Sequence, residues 1–156
     1  MAIYKLKNTI QNYAWGSADA MGELLGYENP NNEPMAELWM GAHPKAPSLA
    51  LEPNPQGDTS AGKALNELIS LSPDTILGEE TSAAYSGRLP FLFKVLAAGT
   101  PLSIQAHPNL EQAAEGFKRD NDAGIALDAF NRNYKDDNHK PEIICALSAV
   151  AYTHVT

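Results

Sequence analysis

The sequence predicts a mainly β protein with helical insertions, built as an antiparallel sandwich or barrel. Four stretches with strand character are each bounded by Pro or Gly, and the helical patterns between them are short. No internal repeat or low-complexity run is present, and 156 residues with 44% hydrophobic side chains suit one ordinary domain with a real core.

The first element in chain order is a helix from Ser17 to Leu25, stopped by Gly26. A strand over Ala36–His43 follows, alternating so that Glu37, Trp39 and His43 share a face; the plain expectation is a strand with a wet edge and a packed Trp. Residues 44–62, proline-rich and without periodicity, read as loop. A second helix is expected from about Ser60 to Ser70, with Ala64, Leu65, Leu68 and Ile69 on one stripe ahead of Pro73. The strand Leu89–Ala98 carries Lys94 alone among apolar residues, so its charge is either paired or poised against an anionic ligand.

In the next strand, Pro101–His107, Leu102, Ile104 and Ala106 point one way and Ser103, Gln105 and His107 the other. A third helix begins after Pro108, where Asn109 and Gln112 have capping-box spacing and Glu115 with Arg119 forms an i,i+4 pair; Gly124 is its latest end. Lys118, Arg119 and Asp120 read as a solvated helix face, and residues 136–139 as a solvated turn. The last strand, Pro141–Leu147, is apolar on both faces except for Glu142, a carboxylate that then needs a partner. Cys145 within it reads as inert core.

Composition narrows the function. Eleven Lys and Arg against nineteen Asp and Glu give a net charge of −8, and no basic run offsets it, which argues against a nucleic-acid partner. A single cysteine permits no internal disulfide and no Cys-rich zinc framework, so any metal is held by His, carboxylate or amide groups. No apolar stretch approaches the roughly 20 residues that span a bilayer, and the first residues lack a signal-peptide core. The expectation is a soluble, cytoplasmic chain without a membrane partner.

Gln105 and His107, two apart on a strand, bring an amide oxygen and an imidazole within reach of one ion, although such a pair is also common as a plain hydrogen-bonded pair. Adding Glu142 gives one imidazole, one carboxylate and one amide oxygen with open positions, a set suited to zinc as a Lewis acid. Trp15, in the aromatic turn Asn12–Ser17, is either a packing anchor or the floor of a sugar pocket.

Five segments together resemble type I mannose-6-phosphate isomerases, in that family's order: Gln11–Ser17, Pro34–Pro44, Leu89–Leu96, Pro101–Asn109 and Asn133–Glu142. The resemblance covers about residues 8–147. It implies a zinc enzyme of cupin-like jelly-roll fold interconverting mannose 6-phosphate and fructose 6-phosphate, with zinc on Gln105, His107 and Glu142. It further implies Trp15, Lys94, Ser103 and Lys140 as contacts to a small-molecule sugar phosphate. The chemistry also needs a proton shuttle, for which Lys140 and Glu142 are the local candidates, Lys140 being the catalytic residue chosen, with a zinc-bound water or a residue outside this chain as alternatives. Family members are more than twice this length and supply a further histidine ligand and an arginine from a second half. Residues 1–156 are therefore expected to be the N-terminal portion of an incomplete jelly roll, with 148–156 an atypical tail in which His154 has no family counterpart. The alternative function is a noncatalytic sugar-phosphate or zinc-binding fragment.

Overall fold

The computed structural model describes residues 3–51, 62–102 and 105–147. The chain divides into two compact units, residues 1–102 and 103–156.

The first unit carries two three-stranded antiparallel sheets. One is ordered β1 (Lys5–Lys7), β4 (Leu49–Leu51), β5 (Gly62–Ala64), and the other β2 (Thr9–Gln11), β3 (Glu37–Gly41), β6 (Leu92–Leu96). Helix α1 (Ala20–Leu25) lies between β2 and β3 in the chain, and α2 (Leu65–Leu71), α3 (Pro73–Leu77) and α4 (Glu79–Ala84) lie between β5 and β6. Small antiparallel sheets with inserted helices are thus what the strand patterns predicted, with different bounds.

In the second sheet Ile10, Leu38 and Val95 fall in line across the ladder. They pack with fully buried Met21 of α1 and with Met35 and Ala97 to form the core. The opposite face of the same sheet therefore carries Glu37, Trp39 and Lys94, because side chains alternate along a strand. The turn before α1 is fixed by a close approach: a Cβ on Gly16 would lie 2.6 Å from the Ala36 backbone nitrogen. Beyond it, Ser17 Oγ accepts the N–H groups of Asp19 and Ala20, so the helix begins at Ala20 rather than at Ser17. Gly26, at φ 73°, ends it as expected. Fully buried Ser48 accepts the Gly41 N–H and donates to Asn8, tying the start of β4 to the end of β3.

Several expectations are corrected. Ala36–His43 is not a wet edge but contains the central strand of its sheet, and Glu37 is buried. The stretch read as loop contains β4, whose Ala50 and Leu51 are buried. The second helix starts only at Leu65, because Gly62–Ala64 pairs with β4; residues 60–61 lie outside the described set. The strand Leu89–Ala98 is trimmed to β6.

In the second unit α5 (Leu110–Asp122) opens with the expected capping box, Asn109 accepting from the Gln112 N–H and Gln112 from the Asn109 N–H. Asp120 is not on a solvated face. It is buried and accepts the Tyr134 N–H, while buried Arg132 donates to the carbonyls of Ile125 and Tyr134 and to Asn121. Arg119 pairs with Asp120 at 3.6 Å and covers the Tyr134 ring, in place of the expected pair with Glu115. Residues 105–107 and 141–147 are irregular and exposed rather than strands, so Glu142 is not on a buried strand and Cys145 is not core. A strand exists only as part of a ladder, and no strand stands among the described residues of this unit for them to pair with.

Candidate functional site

Each unit gathers part of the residue set that the sequence singles out. In the first, Lys94 of β6 stands directly across from Trp39 of β3, with Glu37 two residues along the same face. The Trp39 indole N–H donates to Glu37 Oε2 at 2.5 Å, and the Lys94 ammonium lies 3.6 Å from that oxygen and 5.3 Å from the centre of the Trp39 ring. The isolated charge on β6 is therefore paired. Trp39 also meets the His43 ring edge-on at 4.8 Å. Lys45 stands over both Trp39 and Tyr13, and Tyr13 stacks on Trp15 at 5.8 Å. The result is a cluster in which buried Trp39 backs two lysine ammonium groups and half-buried Trp15 stacks on Tyr13. Its accessible parts, the Trp15 ring and the ammonium groups, are of the kind that meets a sugar's C–H surface and its oxygens.

In the second unit the His107 Nδ1 lies 2.6 Å from the Lys140 carbonyl oxygen. A carbonyl can only accept, so Nδ1 carries a proton and donates it to Lys140, which leaves Nε2 as the nitrogen that faces away from the backbone. That nitrogen faces Glu142 Oε2 at 3.9 Å. An imidazole nitrogen and a carboxylate oxygen are both zinc donors, but tetrahedral zinc with donors at about 2.1 Å holds them about 3.4 Å apart, so this pair would have to draw together by about 0.5 Å to share one ion. The backbone bond on the far nitrogen is the kind of outer contact that orients a ligating imidazole. Gln105 lies two residues from His107 in the same exposed segment, and Ser103 lies outside the described residues. Among the described residues no group of three or more His, Cys, Asp and Glu side chains gathers. Lys140 presents its ammonium 3.2 Å from Asp136, which also caps the turn by accepting the Asn138 N–H.

The sequence reading missed Glu37 as the partner of Lys94, and it missed Lys45. Alternation had put Glu37 and Trp39 on one face, but the register that brings Lys94 opposite Trp39 is a pairing between segments 55 residues apart, 94 minus 39.

The profile of the phosphomannose isomerase type I catalytic domain matches residues 3–153. The chain belongs to the type I phosphomannose isomerase family. The mannose-6-phosphate isomerase of Escherichia coli K12 is 54% identical over 144 residues, which are 92% of this chain and 35% of that protein. The mannose-6-phosphate isomerase of Homo sapiens is 38% identical over 154 residues, covering 94% of this chain and 33% of that protein. Among solved structures, mannose 6-phosphate isomerase from Salmonella typhimurium bound to its substrate fructose 6-phosphate and zinc superposes with a TM-score of 0.77 at 50% identity, over 88% of this chain and 33% of that one. The chain thus spans about a third of the length of these phosphomannose isomerases. No helix among the described residues is long and apolar enough to cross a membrane.

Proposed function

We propose that this chain carries part of the site of a zinc-dependent isomerase that interconverts mannose 6-phosphate and fructose 6-phosphate through an enediol(ate), as the N-terminal portion of a cupin-like catalytic domain. The observation that carries this reading is the His107–Glu142 pair, with Nδ1 committed to a backbone carbonyl and Nε2 facing the carboxylate at 3.9 Å. Gln105, His107 and Glu142 would hold the metal; an imidazole, a carboxylate and an amide oxygen leave positions open for substrate oxygens. When bound, zinc supplies the positive charge that stabilises the oxyanion formed as a proton leaves the carbon beside the carbonyl.

Lys140 is the proton carrier in this reading, and its pairing with Asp136 keeps its long side chain from sampling solvent freely. Trp15 gives a ring face to the sugar, and Lys94 and Ser103 donate to its oxygens or to its phosphate. The reaction belongs in the cytoplasm, a placement supported by the lone cysteine and by the chemistry of a phosphorylated metabolite.

The test is a coupled assay of mannose 6-phosphate conversion by the 156-residue chain with zinc, before and after chelation, run beside calorimetric zinc titration. Zinc uptake that is lost in His107→Ala is the expected result for a chain carrying part of the site. Chelator-sensitive turnover would show that these residues suffice for the reaction, zinc uptake without turnover would support a binding fragment, and absence of both would overturn the proposal.

A further inference from the structure

A lysine at the middle of a strand has four rotatable bonds and, left free, spends binding energy on being ordered when it meets a ligand. Lys94 is not left free. We propose that Glu37 is a positioning residue which, through its charge, holds the Lys94 ammonium ready for the phosphorylated sugar; this rests on the reading of Lys94 as a substrate contact.

The arrangement divides the work between two side chains. Glu37 is only 8% exposed, and a carboxylate taken out of water at that depth needs partners. One oxygen serves both of its contacts: the Trp39 indole N–H fixes the carboxylate, and the carboxylate with the indole face then fixes the ammonium. At 3.6 Å the contact between Lys94 and Glu37 is one of charge, beyond the range of a direct hydrogen bond. The three ammonium donors therefore stay available for hydroxyl or phosphate oxygens while the position of the nitrogen is set. Trp39 lies directly opposite Lys94 in the ladder, so the strand register builds this geometry without any loop.

Glu37→Gln separates this role from a merely structural one. The glutamine carbonyl still accepts the Trp39 N–H and fills the same volume, but the charge that holds Lys94 is gone. The measurements are the ring-current shift of the Lys94 ε-methylene protons by NMR and the affinity of the 156-residue chain for fructose 6-phosphate followed at the Trp39 indole N–H. In Glu37→Gln the ring-current shift is expected to collapse and the affinity to fall roughly two- to tenfold, the cost of ordering one rotamer-rich side chain.

Unchanged shift and affinity in this variant would overturn the proposal, and so would tighter binding, which would make Glu37 a mere counter-charge. Trp39→Phe keeps the charge and a ring but removes the N–H; because the phenyl ring alters the shift by itself, affinity by calorimetry is the readout there, a fall is expected, and an unchanged affinity overturns the proposal if Glu37→Gln does not fold. A parent chain that takes up no fructose 6-phosphate would sink the substrate reading of Lys94, while the methylene shift would still decide whether Glu37 orders it.

Discussion

Asp120 shows how one side chain holds an irregular segment in place. The Tyr134 N–H bonded to it, aided by Arg119 and Arg132, draws its carboxyl below the usual carboxylate range against the opposing effect of burial. A depressed carboxylate contributes stability above its ordinary titration range and loses it as pH falls through the lower, folded-state value. The protection factor of the Tyr134 amide against hydrogen exchange should therefore hold through the ordinary carboxylate range and fall only below it; Asp120→Asn should remove that acid step. This residue was legible only as a charge on a helix. Its i+14 partner sits on an irregular segment, where no periodicity announces which way the backbone N–H points.

Among the elements, α5 was read most fully from the sequence, because its start depends on neighbours in the chain. Asn109 and Gln112 make both halves of the capping box, and Lys118 pairs with Asp122 one turn on. Asn109→Ala should cost about 1 kcal/mol in urea unfolding and shorten the helix by circular dichroism. Inside the same helix Gly116 faces the Tyr134 ring, and an added Cβ would lie 2.5 Å from it. Gly116→Ala is therefore expected to cost about 1–3 kcal/mol, more than a helical Gly→Ala gains, and to free Tyr134 to fast exchange. The strands were less legible. β3 and β6 announced themselves by five-residue alternation and apolar content, whereas β1, β2, β4 and β5 are three residues each and exist through their partners.

At the scale of the whole molecule, zinc uptake of the kind proposed would be linked to folding. A ligand that binds only the folded chain stabilises it by about 2.7 kcal/mol at a hundred times its dissociation constant. Under the proposed function, saturating zinc should raise the thermal midpoint of the parent chain and leave that of His107→Ala unmoved, a comparison that scanning calorimetry makes directly. The candidate site was legible as residue types, since Gln105, His107 and Glu142 have the chemistry of a metal site and Lys94 the isolation of a functional charge. It was not legible as geometry. The burial expected for Glu142 assumed a sheet around Pro141–Leu147, and the partner of Lys94 depended on strand register. The aromatic face also gives the protein an optical property. Its two tryptophans are Trp15, half-buried on Tyr13, and Trp39, buried against a carboxylate and flanked by two ammonium groups. All of the indole emission of this chain thus originates in the one aromatic cluster. Trp39 should emit to the blue and resist iodide quenching, and Trp15 should emit to the red and be quenched, so an unlabelled sample reports on its own site by its colour.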